Sequence, residues 1–302
     1  MSATAQGGLE FGLITPQHWR GWPELAELAE LWDFAEATGW DSGWFMDHFV
    51  SQGERDDGSC LEGWTALAAM ASRHSRLQLG VYVSAVTHRA PAVLFKQALT
   101  VDQLSQGRLI LGLGAGRNGR EQLAMGLPAA PPGERYERVA ETLELFRRFE
   151  REERTTFEGR HYRIDGLACL PKPLNGHLPL MIGTSGQRML RLVARYADRW
   201  DTGGSPETVR QRGAQLRARC LEIGRDPSEI RWAIDNSGNP FGEPTASAAV
   251  FRQHVAAYSA AGIRTFLFNV WQGGPTPVLM EIAGRVIPEL RQEFAETGAL
   301  AG

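Results

Sequence analysis

The clearest structural signal in this chain is the run LGVYVSAVTHRAPAVLFKQALTVDQLSQGRLILGLGAGRN, residues 79–118. It starts with the β-branched and aromatic side chains of a strand and ends on a second apolar strand, 109–113. Between them, residues 91–104 have the apolar spacing of a helix. The run therefore predicts a βαβ unit, in which a crossover helix joins two parallel strands.

The same alternation continues along the chain and gives eight βα units. The predicted strands are 11–15, 43–46, 77–83, 109–113, 180–183, 199–201, 230–234 and 265–270. The predicted helices are 23–38, 91–104, 134–150, 187–197, 206–223, 246–261 and 277–294. Eight such units in one chain predict a single α/β domain over residues 1–302, a (β/α)8 TIM barrel with its helices outside.

One region interrupts this alternation after the fourth βα unit. Residues 127–133 are rich in proline, and residues 155–164 (TTFEGRHYRI) predict a hairpin around Glu158 and Gly159. Residues 165–179 have no helical period and contain three prolines. We expect an insertion, approximately residues 151–179, over one end of the barrel.

The composition narrows the class of protein. The 302 residues carry 32 Lys and Arg against 35 Asp and Glu, a formal charge of -3, so neither nucleic acid nor an anionic membrane is an expected partner. Cys60, Cys169 and Cys220 are far apart, which fits neither a disulfide framework nor a CxxC site and predicts a reducing, cytoplasmic setting. No export signal or membrane span is apparent in the sequence.

In a barrel of this kind, catalytic residues are expected where strands end at the C-terminal face. The second predicted strand runs directly into Asp47 and His48. A carboxylate beside an imidazole can orient a cofactor and exchange a proton near neutral pH, so both residues are catalytic candidates. The alternative is a loop aspartate that caps the next turn beside an incidental histidine.

Two glycine-rich segments follow later strands. In the first, residues 112–119, the missing side chains would let a ligand approach the backbone, although the segment does not open the first βαβ unit as a dinucleotide fingerprint would. The second, GTSG (183–186), precedes a helix, where N–H groups, hydroxyls and the helix dipole favour a phosphate. A tight turn and a helix cap are the respective alternatives.

Other constellations are weaker. The seven histidines are scattered without an HExxH motif, so no metal site is predicted, and the absence of GxSxG argues against an α/β-hydrolase. Trp19, Phe49 and Trp271 fall near predicted strand ends and are candidates for an apolar wall of the substrate pocket. Ordinary packing is the alternative for each of them.

Taken in order, these segments resemble the luciferase-like flavin and deazaflavin oxidoreductases, the superfamily of bacterial luciferase and the F420-dependent dehydrogenases. The resemblance covers nearly the whole chain. Besides residues 79–118, it rests on FGLITPQHW (11–19), GWFMDHF (43–49) and LPLMIGTSGQRMLRLVARYADRWDT (178–202). The strings RxPA at 89–92 and SxGRxxLGxGxG at 105–116 are its most specific parts.

The resemblance implies a (β/α)8 barrel with an insertion and a flavin-type cofactor at its C-terminal face. It places Asp47 and His48 beside the cofactor, with His48 as the proton-transfer candidate, and a non-prolyl cis peptide near Val81–Tyr82. The implied cofactor-binding residues are Asp47, Val81, Tyr82, Val83, Ser84, Gly114, Gly116, Gly183, Thr184, Ser185 and Gly186.

The chain departs from some F420-dependent sugar-phosphate dehydrogenases just after the first glycine run. Those enzymes have a carboxylate there, whereas this sequence has Arg117. Because a guanidinium cannot act as a general acid or base near neutral pH, their mechanism does not transfer at this position. Arg117 is instead a candidate for binding an anionic cofactor tail or substrate group.

The segments DHF and IGTSGQRMLRLVARYAD resemble the F420 branch more than bacterial luciferase. We therefore expect F420-dependent hydride transfer to or from a small organic substrate. The alternative is an FMN-dependent monooxygenase using reduced flavin and O2, because both cofactors present a phosphate and a tricyclic ring. A non-catalytic flavin-binding protein is a further alternative. The sequence leaves the oligomeric state open, with a homodimer as the candidate because dimers are common in this superfamily.

Overall fold

A closed parallel barrel forms the centre of the protein. The computed structural model describes residues 8–15, 25–51, 59–116, 119–127, 129–237, 240–270 and 275–299. In chain order the strands are β1 (Glu10–Thr15), β2 (Ser42–Phe45), β3 (Gln78–Val81), β4 (Ser84–Ala85), β5 (Leu109–Gly114), β6 (Thr155–Glu158), β7 (Arg163–Leu167), β8 (Leu180–Gly183), β9 (Arg199–Thr202), β10 (Arg231–Asp235) and β11 (Thr265–Asn269).

The order of neighbouring strands closes the ring. All strands except β6 and β7 lie in one parallel sheet, in the order β3-β2-β1-β11-β10-β9-β8-β5. The short strand β4 continues the direction of β3 and pairs with the C-terminal part of β5. Because β3 also pairs with β5, the sheet has no free edge. The predicted (β/α)8 barrel is confirmed.

Helices surround the barrel. They are α1 (Leu25–Ala37), α2 (Gly63–Arg73), α3 (Pro91–Leu104), α4 (Gly119–Ala124), α5 (Pro132–Arg151), α6 (Leu190–Tyr196), α7 (Pro206–Glu222), α8 (Ala248–Ser259), α9 (Pro277–Glu281) and α10 (Ile287–Ala299). A π-helical turn, Ile282–Val286, joins the last two. None of the helices in the described ranges is both long and apolar enough to cross a bilayer.

Two of these helices, α2 and α4, are not among the predicted ones. Helix α2 buries Trp64, Leu67 and Met70, whose spacing is that of a helical stripe and is detectable by counting. The Glu62 carboxylate caps this helix by accepting hydrogen bonds from the N–H groups of Trp64 and Thr65. Helix α4 has only six residues, too few for a periodic pattern.

Side chains fill the lower part of the barrel. At the N-terminal end, the Glu10 carboxylate lies 2.5 Å from Arg199 and 3.1 Å from Arg231. Above this ion cluster the interior is apolar, with Ile14, Trp44, Ile110, Met181, Ala233 and Leu267 in contact. These two layers leave the C-terminal end of the barrel for a ligand.

The strands β6 and β7 form the predicted antiparallel hairpin. Its turn is held by Glu141 on α5, whose carboxylate accepts hydrogen bonds from the N–H groups of Arg160, His161 and Tyr162. The Tyr162 hydroxyl donates to the carbonyl oxygen of Val86, just after β4, at 3.3 Å. The hairpin therefore lies beside α5 and the loop at the C-terminal end of β4.

Candidate active site

A cavity of about 960 Å³ opens at the C-terminal end of the barrel. It lies where the segments after β2, β3, β5 and β8 meet the helices α4 and α5, and its volume suits a cofactor-sized ligand. The lining residues are Met46, Asp47, His48, Tyr82, Val83, Ala85, His88, Gly114, Ala115, Gly116, Glu121, Pro132, Arg135, Tyr136, Gly183 and Met189.

Asp47 is a buried carboxylate with several hydrogen-bond partners. Its Oδ2 accepts a hydrogen bond from the N–H of Ala85 at 3.0 Å and lies 3.2 Å from Nδ1 of His88. Both carboxylate oxygens accept from Nη1 of Arg89, at 2.8 and 2.9 Å. Burial raises the pKa of Asp47, but His88 and Arg89 outweigh burial and hold this pKa below its ordinary value. Asp47 is therefore ionised at neutral pH.

Arg89 extends this network to the loop after β2. Its Nη2 lies 2.5 Å from Glu62, the residue that caps α2, and its guanidinium lies 5.2 Å from the ring centre of Phe49. The Phe49 ring also packs against His88, with 4.9 Å between ring centres. Phe49 is not among the cavity's lining residues but packs on His88, which is one of them, so its place in the substrate pocket stays a prediction.

Glu121 orients the imidazole of His48. Nδ1 of His48 lies 2.9 Å from Oε2 of Glu121, whose side chain is 1% exposed against 28% for His48. Oε1 of Glu121 accepts from the N–H groups of Phe49 at 2.6 Å and Val50 at 3.3 Å. Burial raises the pKa of Glu121, but the His48 hydrogen bond and these N–H donors lower it below its ordinary value. An ionised Glu121 accepts a proton from Nδ1 of His48, which favours the tautomer in which Nδ1 carries the proton and Nε2 is the basic nitrogen.

A non-prolyl cis peptide joins Tyr82 to Val83, one bond beyond the position that the resemblance implies. Both side chains line the cavity. Val81 belongs to the core between sheet and helices, and the Ser84 hydroxyl accepts a hydrogen bond from Nε1 of Trp64 at 3.1 Å. Since side chains on the outer face of a barrel strand pack on helices, Val81 and Ser84 face away from the cavity, contrary to the expected cofactor contacts.

Three glycines make room for Val83. A Cβ at Gly114 would lie 2.7 Å from a Val83 methyl, and one at Gly183 would lie 3.2 Å from it. A Cβ at Gly112 would lie 2.2 Å from the carbonyl oxygen of Val81. The glycine runs are thus required for packing inside the barrel, and Gly114 and Gly183 also form part of the cavity wall.

Basic side chains lie on one side of the cavity. Gly116 has a φ of +72°, which favours glycine, and its carbonyl oxygen accepts a hydrogen bond from Arg135. Nε of Arg135 is buried and has no hydrogen-bond partner within the described ranges. The guanidinium of Arg188 lies 4.4 Å from the ring centre of Tyr136, beside Arg135 in the first turns of α5.

The segment predicted to bind phosphate lies mostly outside the cavity wall. Gly183 lines the cavity, whereas Ser185 and Gly186 are exposed. The N–H of Thr184 donates to the Asp201 carbonyl at 2.9 Å, and that of Gly186 donates to the Thr184 hydroxyl at 3.1 Å. These two N–H groups are therefore already used within the protein.

A second acidic group lies near the cavity, on β9. The hydroxyl of Tyr82 donates to Oδ2 of Asp201 at 2.8 Å. Asp201 is 9% exposed, and its Oδ1 is buried without a partner among the residues that the structure describes. Burial and the nearby Asp235 raise the pKa of the Asp201 carboxyl well above its ordinary value, and burial together with Asp201 raises the pKa of Tyr82. Both environments therefore favour the protonated form of the side chain.

The cavity brings together seven of the predicted site residues: Asp47, His48, Tyr82, Val83, Gly114, Gly116 and Gly183. Trp19, Arg117 and Trp271 lie outside the described residues. Within those residues no cluster of His, Cys, Asp and Glu is arranged to hold a metal.

The sequence analysis did not identify several residues that the structure makes functional candidates, namely His88, Arg89, Glu121, Arg135 and Asp201. Arg89 opens the RxPA string that carries the resemblance, so a signal for it exists. Glu121 and Arg135 lie on helices on either side of a proline-rich connection, where the local pattern does not indicate a contact with the barrel mouth.

Curated relatives match part of this chain. The F420-dependent glucose-6-phosphate dehydrogenase of Nakamurella multipartita is 34% identical over 174 residues, which cover 57% of this chain and 50% of the relative. The protein of the same name from Segniliparus rotundus is 34% identical over 221 residues, 69% of this chain and 63% of the relative. The chain thus spans about half the length of the first relative.

Solved structures share the fold over nearly the whole chain. An F420-dependent secondary alcohol dehydrogenase in complex with an F420-acetone adduct superposes with a TM-score of 0.78 at 17% identity, covering 93% of this chain and 99% of the other. The monooxygenase RslO1 from Streptomyces bottropensis gives 0.71 at 19% identity, covering 96% and 99%. The family model for luciferase-like monooxygenases matches residues 9–274, which include every lining residue of the cavity, and this chain belongs to that family.

Proposed function

We propose that this protein is an F420-dependent oxidoreductase that transfers a hydride between the deazaflavin and a small organic substrate. The observation that carries the proposal is the His48–Glu121 pair in the wall of a cavity of about 960 Å³. Relatives by sequence that are named F420-dependent support F420 over FMN.

The residues present fit a cofactor with a flat ring and an anionic tail. Gly114 and Gly183 carry no side chains, so the ring would lie against backbone and Val83. The unpartnered Nε of Arg135 is a donor that an anionic oxygen would satisfy, and Arg188 adds a second positive charge. The exposed Ser185 hydroxyl is the group from the predicted phosphate segment that we expect to contribute.

His48 would accept the proton that leaves the substrate during oxidation and return it in the reverse reaction. When bound, F420 supplies the ring carbon that takes a hydride as the substrate C–H bond breaks, or returns it in the reverse direction. With Nδ1 bonded to Glu121, Nε2 of His48 takes the hydroxyl proton of an alcohol as its carbonyl forms. We assign Asp47 a positioning role, because it is ionised and its oxygens are engaged by His88 and Arg89.

The cofactor retained after purification from an F420-producing host tests this proposal. We expect F420 in stoichiometric amount, measured by mass and absorbance, and loss of oxidised F420 absorbance with some members of a panel of alcohols and sugar phosphates. Stoichiometric FMN with O2-dependent turnover would establish the alternative monooxygenase. Tight F420 binding without transfer across the panel would favour a non-catalytic binding protein.

Single variants separate the roles of the two predicted catalytic residues. His48→Ala should bind F420 within a few fold of the wild type and lose turnover by about 100-fold or more. Asp47→Ala should weaken F420 binding as well, because it releases Arg89 and His88. The control is His177→Ala, whose side chain is 46% exposed and which does not line the cavity. Wild-type activity in both test variants would refute the assignment.

Location and assembly are part of the same proposal. The three cysteines are free thiols, which supports a reducing, cytoplasmic setting. The homodimer stays a prediction, and the molar mass in solution from light scattering tests it.

A further inference from the structure

Tyr82 and Asp201 meet across the mouth of the barrel. In the ring of strands, β9 lies opposite β2, the strand that leads to His48. Tyr82 follows β3 and reaches across the interior to Asp201 on β9, where the two oxygen atoms are 2.8 Å apart. Gly183 on β8, a lining residue, has no side chain to separate Asp201 from the cavity, since a Cβ there would lie 3.6 Å from Oδ2.

The surroundings of Asp201 favour its protonated form. Asp201 is 9% exposed, and Asp235 on the neighbouring strand adds a second acidic group rather than a counter-charge. Within the described ranges, neither Lys nor Arg pairs with Asp201 or Tyr82, and Oδ1 has no donor. An ionised carboxylate that is buried with one hydrogen bond and no cation is high in free energy, so these surroundings favour a proton on Asp201.

This proton changes what the Tyr82 hydroxyl can do. A protonated Asp201 can donate through Oδ2 to the Tyr82 oxygen, which frees the hydrogen of Tyr82 for another acceptor. Tyr82 lines the cavity, whereas Oδ1 of Asp201 is closed off from it. With Oδ1 closed off, the cavity that Tyr82 lines is where an acceptor for this hydrogen would lie.

We propose that Tyr82, oriented by Asp201, binds the substrate by donating a hydrogen bond to an uncharged hydroxyl or carbonyl oxygen. This inference rests on the proposed function and narrows its substrates to neutral alcohols and carbonyl compounds. A phosphate or carboxylate at this position would be desolvated without a counter-charge, since neither Lys nor Arg pairs with Asp201 or Tyr82 in the described residues.

Infrared difference spectra of the cofactor-free protein at neutral pH test the protonation of Asp201. Subtracting the Asp201→Asn spectrum from the wild-type spectrum should leave the carbonyl band of a protonated carboxylic acid. The matched control is Asp165→Asn, an exposed position on β7, which should leave no such band. If the Asp201→Asn difference lacks the band, Asp201 is ionised and the proposal is overturned.

Steady-state kinetics with F420-loaded enzyme test the hydrogen bond. The probes are propan-2-ol, glucose and glucose 6-phosphate. Tyr82→Phe and Asp201→Leu should each lower kcat/KM for the preferred neutral probe roughly tenfold, mainly through KM. Asp201→Asn should recover most of the kcat/KM that Asp201→Leu loses, because its amide also donates to the Tyr82 oxygen.

Two kinetic outcomes would overturn the inference. One is an Asp201→Asn enzyme as impaired as Asp201→Leu, which would mean that a carboxylate is needed. The other is a clear preference for glucose 6-phosphate over glucose. Absence of F420 binding would refute the proposed function instead, and the infrared result, which needs no cofactor, would still decide the state of Asp201.

Discussion

Glu121 sets the proton position on His48. Its Oε1 is held by the N–H groups of Phe49 and Val50, and its Oε2 faces Nδ1 of His48. One buried carboxylate thus fixes both the imidazole and the chain that follows it. The two carboxylate oxygens of Glu121 therefore have different roles, and a substitution that changes one oxygen into a donor changes the hydrogen bond to His48.

Glu121→Gln should reverse the tautomer of His48. The amide oxygen must face the two backbone donors, so the amide nitrogen faces His48 and donates to Nδ1. The proton then sits on Nε2, which can no longer accept one from an alcohol. We expect kcat for alcohol oxidation to fall about 100-fold, with the F420 dissociation constant unchanged within twofold.

The control is Glu222→Gln, whose side chain is 55% exposed in an ion pair on α7. It should leave kcat unchanged. A Glu121→Gln enzyme with wild-type kcat would show that Nε2 does not exchange the proton.

His88 and Arg89 together keep Asp47 ionised in a buried position. Arg89→Met keeps most of the side-chain volume but removes the charge, so Asp47 stays buried with less compensation. We expect the free energy of unfolding to fall by about 3–5 kcal/mol. Arg210→Met, in an exposed pair with Glu207, should cost less than about 1 kcal/mol.

The Asp47–Arg89 pair also predicts how the free energy of unfolding depends on pH. In the wild type the pKa of Asp47 is below its ordinary value. The stability that this carboxylate contributes is therefore fully present above the ordinary pKa and is lost as the pH falls through the pKa of the folded state. Arg89→Met raises the folded pKa and should flatten this acid slope. Urea unfolding at neutral and acidic pH measures both effects, and an unchanged slope would contradict the assignment.

At the scale of elements, the packing of Val83 between β5 and β8 explains part of the glycine pattern. The chain after β3 turns Val83 inward, and Gly112, Gly114 and Gly183 supply the space. A cofactor ring is expected on the same side, so these glycines serve both packing and binding. Stability measurements can separate the packing part.

Gly114→Ala should destabilise the protein by about 1–3 kcal/mol, because its Cβ would lie 2.7 Å from a Val83 methyl. In a Val83→Ala background this cost should fall by about 1 kcal/mol or more. Gly112→Ala is the comparison, since its Cβ would meet the Val81 backbone carbonyl at 2.2 Å and a Val83 methyl only at 3.1 Å, so Val83→Ala should recover a smaller share of its cost. Urea denaturation of the single and double variants measures the coupling, and purely additive costs for Gly114 and Val83 would disprove the contact.

For the whole molecule, the two ends of the barrel have different tasks. The N-terminal end is closed by Glu10 with Arg199 and Arg231, and the C-terminal end carries the cavity. Burial raises the pKa of Glu10, but the two arginines lower it below its ordinary value, so Glu10 is ionised at neutral pH. Residues of the closed end should therefore contribute to stability without contacting a ligand.

Glu10→Gln tests this division. It leaves two partly buried guanidinium groups without their shared carboxylate, and we expect unfolding free energy to fall by roughly 3 kcal/mol or more. F420 affinity should stay within twofold of wild type, because Glu10 lies at the opposite end from the cavity. Thermal unfolding and fluorescence titration give the two readouts, and a marked loss of affinity without loss of stability would contradict the division.

The order of strands and most helices could be predicted from the sequence, because apolar period and turn residues are local properties. The hairpin at β6 and β7 was accessible for the same reason. Helix α2 carried a readable stripe, whereas α4 is too short to show one. Asp47 and His48 follow a strand directly, so barrel topology alone places them at the cavity.

Only the tertiary structure decided which groups act on these residues. His48 and Glu121 are 73 positions apart, Asp47 and Arg89 are 42 apart, and Tyr82 and Asp201 are 119 apart. Contacts of this range depend on where the loops and short helices come to rest, and local patterns do not encode that. The sequence by itself determined the barrel and the position of the Asp47–His48 pair. Packing determined the charge state of Asp47 and the partner of His48, because burial and distant partners set the pKa of a side chain and its hydrogen bonds.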